Sequence, residues 1–151
     1  MTKIYLTLLL ACLWQMASAQ DATNFWQDVA ESDLLLPRES ARNVQATQYR
    51  ALALDLDQLK TQLRQAPLEF TRNAERRPLL IALPLPAGGE EVFAVVESPI
   101  MEPELAARYP NVKTYKGQGV HNRFMNLRFD LSERGFYATI NTLRGQIYID
   151  P

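Results

Sequence analysis

Three stretches with a two-residue period, separated by glycine-bearing turns, constrain this chain more than any other feature. They read Asn122-Arg-Phe-Met-Asn-Leu-Arg-Phe-Asp-Leu131, Phe136-Tyr-Ala-Thr-Ile-Asn-Thr142 and Gln146-Ile-Tyr-Ile-Asp150, with Ser132-Glu-Arg-Gly135 and Leu143-Arg-Gly145 between them. Alternation puts one set of side chains on a buried face and the other in water. Turns this short join strands as antiparallel hairpins. A helix would scatter the same apolar residues around its circumference. The last strand runs to Asp150-Pro151 without a polar tail, which predicts a longer precursor continuing past Pro151 and a domain truncated there.

Upstream, Tyr49 to Leu56 alternates as a short strand. Asp57 caps a helix through about Gln65, with Leu59 and Leu63 on one face, and Ala66-Pro67 ends it. Leu79 to Leu85 and Val92 to Val96 form another hairpin across Pro86-Ala-Gly-Gly89, with Glu90-Glu91 as its exposed flank. Pro84 and Pro86 lack a backbone donor and belong at a sheet edge or a strand exit. Glu102 to Arg108 reads as a short helix begun at Pro103, and Val112 to Tyr115 as a further strand that Gly117 and Gly119 terminate in a turn. The sum is an α+β domain: a mostly antiparallel sheet of about six strands with two short helices.

Lys3, the apolar run Ile4 to Trp14 and the small residues Ala17-Ser18-Ala19 form a secretory signal cleaved between Ala19 and Gln20. The run is shorter than the roughly 20 residues that span a bilayer. The expectation is a protein that is secreted, periplasmic or at the cell surface and off the membrane once cleaved. A rival reading takes Leu9-Leu-Ala-Cys12 as a lipobox with Cys12 lipidated, but Leu13 and Trp14 then stand where a polar tether belongs. The organisation is a signal at 1–19, an extended arm at 20–44 packing Phe25 and Trp26 on the rest, and one domain at 45–151. Cys12 is the only cysteine, so the remaining chain has no disulfide and depends on its core. The formal net charge of −1 gives no electrostatic reason to expect nucleic acid or an anionic membrane as partner.

The search for chemistry returns mostly exclusions. With one histidine, His121, and no cysteine after Cys12, a His/Cys metal cluster cannot be assembled. There is no His-Glu-x-x-His helix and no credible Ser-His-Asp set, and Gly88-Gly89 sits in a hairpin turn rather than a phosphate-binding loop. Asp55 and Asp57 would share one side of a strand end, yet one of them is needed as a helix cap. Arg76-Arg77 before Pro78 reads as a solvated loop. Phe25, Trp26, Phe124, Phe129, Phe136, Tyr137 and Tyr148 could stack a ligand, but alternation makes most of them core or cross-strand partners. No catalytic or cofactor-binding residue is nominated and no cofactor is required, so the chain reads as a non-enzyme.

Phe93-Ala-Val-Val-Glu-Ser-Pro-Ile-Met-Glu-Pro-Glu-Leu-Ala-Ala-Arg-Tyr-Pro110, Val112-Lys-Thr-Tyr-Lys-Gly-Gln-Gly119, Arg128 to Ile140 and Gln146-Ile-Tyr-Ile-Asp-Pro151 carry a further signal. Together they resemble the N-terminal region of secreted bacterial reprolysin-like zinc metalloproteases, the metzincins. In those precursors a signal peptide and a propeptide domain precede the protease proper. The resemblance covers residues 93–151, with a looser likeness of layout back to about residue 25, and its motifs are structural rather than catalytic. This chain has no protease domain, so no zinc ligand or catalytic glutamate carries over. The resemblance implies a propeptide-like partner of a metalloprotease catalytic domain, in cis or in trans, that assists folding or masks the cleft. A cysteine switch is excluded, which leaves His121, Asp130 and Asp150 as candidates to ligate the protease zinc. The competing class is a free-standing secreted binding module or protease inhibitor that offers its sheet edges to a protein strand.

Overall fold

The computed structural model describes residues 25–33 and 48–151. The signal peptide, the Cys12 lipobox, residues 20–24 and 34–44 of the arm, and residues 45–47 lie outside the described residues. Along the chain come β1 (Trp26–Asp28), a 3-10 turn (Glu31–Asp33), β2 (Leu52–Leu54), α1 (Leu56–Leu63), α2 (Arg72–Arg76) and β3 (Leu79–Pro84). They are followed by β4 (Glu90–Glu97), α3 (Pro103–Arg108), β5 (Lys113–Gly119), β6 (Asn126–Ser132), β7 (Gly135–Thr142) and β8 (Gly145–Ile149). Strands β3 to β8 form one six-stranded antiparallel sheet in which every strand pairs with its neighbour in sequence, while β1 and β2 pair separately. The fold is α+β and dominated by sheet.

Period two decides which face is buried. Leu79, Ile81 and Leu83 of β3, Phe93 and Val95 of β4, Tyr115 of β5, Leu127, Phe129 and Leu131 of β6, and Phe136, Ala138 and Ile140 of β7 all turn inward. The register stacks them in rows, Ile81 opposite Phe93, Tyr115 opposite Phe129 and Leu127 opposite Ile140. Helix α1 contributes Leu59 and Leu63 to this cluster, and Phe25 joins it from the N-terminal side. Aromatic rings link the parts: Tyr115 stacks on Phe129 at 4.8 Å, Phe129 meets Phe136 at 5.1 Å, and Trp26 packs edge-on to Phe136 at 5.4 Å. Each large side chain so buried contributes about 1.5–3 kcal/mol.

Several details differ from expectation. Asp55, not Asp57, caps α1, because its carboxylate accepts from the Gln58 amide at 2.9 Å while Asp57 already lies in the first turn. A third helix, α2, follows Thr71, whose hydroxyl accepts from the Ala74 amide at 3.2 Å. Its Arg-Asn-Ala-Glu-Arg sequence offers no apolar period to read, so the capping hydroxyl is the only local signal. Gly117 does not end β5 but lies within it, packed against Val95 and Leu127 of the flanking strands. Gly119 closes β5 where a Cβ would collide with the Asn122 carbonyl. Glu91 is buried rather than an exposed flank, for a reason given below.

Candidate outer-face site

The sheet's second face carries a polar field across β5 to β8. One cross-strand row runs Thr114, Asp130, Tyr137, and the next runs Lys116, Arg128, Thr139, Tyr148. Between them lies a depression of about 320 Å³ lined by Ile100, Thr114, Arg128, Asp130, Tyr137, Thr139, Tyr148 and Asp150 among others. Its shape follows from sequence. Thr, Arg, Asp and Tyr occupy the positions that alternate with the core residues, so the pleat aims them together. Tyr137 and Tyr148 are exposed, as is Phe124, whereas Phe25, Phe129 and Phe136 are buried. Alternation favours core or cross-strand places for most of these aromatics, and Tyr137 and Tyr148 take the cross-strand ones. Ile100, just after Ser98-Pro99, is 70 % exposed at the rim.

Asp130 and Asp150 therefore line the same depression. Burial raises the Asp130 carboxyl above its ordinary value, the direction expected for an acid taken partly out of water without a paired cation. Beneath the floor, burial pushes the Tyr115 hydroxyl up to about 12, with the Glu97 charge adding to it. Such a hydroxyl stays protonated at any physiological pH.

Toward β4 the same face holds a cationic clamp. Lys116 pairs with Glu69 at 2.5 Å and lies 4.8 Å from the centre of the Phe70 ring. The Ser98 hydroxyl also donates to Glu69 at 2.9 Å. The Lys116 hydrogen bond is the main reason that the Glu69 carboxyl is held below its ordinary range. Phe70 has a left-handed backbone, φ 61°, and its ring is 91 % exposed, so this residue holds a conformation that disfavours a side chain.

His121 is remote from the depression. It sits in the loop between β5 and β6, at the far end of the strands from Thr114 and Asp130, with its imidazole 71 % exposed. The buried Glu91 carboxylate accepts from the His121 amide at 2.8 Å and from the Asn122 amide at 3.2 Å, and the imidazole Nδ1 is 3.5 Å away. Glu91 thus templates the loop, which is why the fold buries it. Nothing in a Glu-Glu pair beside a glycine turn signals that role. His121 and the two aspartates are not brought together.

Among the described residues, no three His, Cys, Asp or Glu side chains gather to hold a metal ion. Nor is any described helix long and apolar enough to cross a membrane. The depression offers two carboxylates, a guanidinium and two phenols on a rigid sheet: a surface suited to polar docking. No protein-family model, curated protein or solved structure matches this chain.

Proposed function

We propose that this chain is a non-catalytic, propeptide-like domain of a secreted zinc metalloprotease precursor, assisting folding of the catalytic domain or masking its cleft. The observation that carries the reading is the placement of Asp130 and Asp150 in one outer-face depression, where both can be presented to a single partner. A carboxylate is a competent zinc ligand, and Asp130, partly buried within β6, keeps its geometry better than a loop residue. His121, in the β5–β6 loop, lies away from this depression and would have to reach a metal independently of the two aspartates. The segments that prompted the resemblance to metzincin precursors form β4, α3 and β5 to β8. Their residues serve the scaffold: Phe93 is buried, Pro103 opens α3, and Ser98 accepts and donates around Thr114 and Glu69. Such residues hold the depression in shape.

The test uses the full-length precursor. Asp130→Asn combined with Asp150→Asn is expected to raise the proteolytic activity of the unprocessed precursor. Unchanged latency rejects masking by these carboxylates. A genomic region that encodes no His-Glu-x-x-His-x-x-Gly-x-x-His segment within reach of the Pro151 codon rejects the cis arrangement.

A further inference from the structure

Among the described residues strand β8 is an edge of the large sheet, and its backbone groups divide by register. Thr142 and Gly145 close a two-residue turn, so Gly145, Ile147 and Ile149 bond to β7 while Gln146 and Tyr148 turn their N–H and C=O outward. Gly145–Ile149 has no proline, no charged side chain and no bulge in its pairing with β7, the devices that normally protect an edge. Charges stand only at its two ends, Arg144 before it and Asp150 after it. Neither has an ion-pair partner among the described residues.

We infer that β8 pairs antiparallel with β8 of a second copy of this chain, about a twofold axis at Ile147, joining two six-stranded sheets into one. This register satisfies every outward backbone group at once. Gln146 faces the second copy's Tyr148, and Tyr148 faces the second copy's Gln146, so both members of each pair are outward-facing residues that exchange two hydrogen bonds. The same register sets Arg144 opposite the second copy's Asp150, and the reverse, which gives two opposite-charge contacts and no like-charge one. An isologous contact requires such self-complementarity. An extended strand from an unrelated protein would gain the main-chain bonds without any use for charges placed symmetrically about Ile147. On the outer face the Tyr148 hydroxyl already bonds to Gln146 within one copy, and the paired strands bring the same two groups together across the axis.

Analytical ultracentrifugation across a wide concentration range tests the inference independently of any protease. A contact this short buries less than about 1,200 Å², so dimerisation is expected to be weak and concentration-dependent. Gln146→Pro removes one outward donor without touching the β7 ladder; it should give a monomer with an unchanged far-ultraviolet spectrum. Arg144→Glu should weaken dimerisation roughly tenfold. Adding Asp150→Arg to that variant should restore it. A wild-type chain that is monomeric at every concentration overturns the inference, as does a double variant no tighter than Arg144→Glu alone. Capture of an extended strand of a metalloprotease catalytic domain by a monomeric chain would assign the edge to that partner and likewise overturn self-pairing.

Discussion

Among the described residues, the turn after edge strand β3 is held by a single arginine, while edge strand β8 has no such clasp. The Arg50 guanidinium donates to the carbonyls of Leu85 and Gly89, both at 2.9 Å, and clasps the Asp28 carboxylate at 2.8 Å. It thereby ties the β1–β2 ribbon to the hairpin that follows β3. Beneath it Ile81 and Leu83 are 2 % and 1 % exposed. On β8, Ile147 and Ile149 are only half-buried, and among the described residues no backbone group meets the outward side of Gln146 and Tyr148. Burial is thus deeper at the β3 edge of the sheet than at the β8 edge.

The largest contrast should come from cutting equivalent side chains. Ile81→Ala is expected to cost about 2–5 kcal/mol in urea denaturation, because the site is fully enclosed. Ile147→Ala should cost about 1 kcal/mol, since only part of its area leaves water on folding. Equal losses would break the comparison. Next, Glu91→Ala leaves two amides of the β5–β6 loop without their acceptor and should cost about 1–3 kcal/mol. Glu91→Gln keeps one acceptor oxygen and should cost less, and His121→Ala should be close to neutral by the same measurement.

Arg50→Ala should cost about 1 kcal/mol through its lost hydrogen bonds, with amide exchange rising in β1 and β2 before the rest of the molecule. Arg50→Lys should recover only part of this, because one ammonium cannot reproduce a planar fork shared between a carboxylate and two carbonyls. The smallest effect is a pair of opposed pH slopes. Asp28 is held below its ordinary range by its hydrogen bond to Arg50, so its contribution is present above the unfolded pKa and lost as pH falls. Asp130 is raised by burial, so its contribution is present below the unfolded pKa and lost as pH rises through the folded value. Urea midpoints measured between about pH 3 and pH 7 should show Asp28→Asn flattening the acid limb and Asp130→Asn removing a loss toward neutrality, so that the rise from acid to neutral pH becomes steeper.

Much of the scaffold was legible because period two is a local property. The hairpins at Leu79 to Val96 and Asn122 to Asp150 follow from alternation and glycine turns, and α3 from Pro103 at its start. Less was legible where a residue answers to something distant in the chain. Arg50 acts on carbonyls beyond β3, Glu91 on amides beyond β5, and Lys116 on Glu69 across the outer face. Each looks like an ordinary solvated charge until the sheet has formed. The depression was half legible: Asp130 and Asp150 stood out as carboxylates, but their convergence with Tyr137, Tyr148 and Arg128 depends on register across separate strands.

The sequential order of the six-stranded sheet bears on how the molecule assembles as it emerges amino end first from a ribosome. Each strand from β4 onward meets a partner made immediately before it, so the sheet can zip up at the rate of delivery, with little loop-closure entropy at each step. Trp26 departs from this order. Its ring waits for Phe136, close to the other end of the chain, so this contact closes only when β7 arrives and serves as the late latch of an otherwise processive assembly.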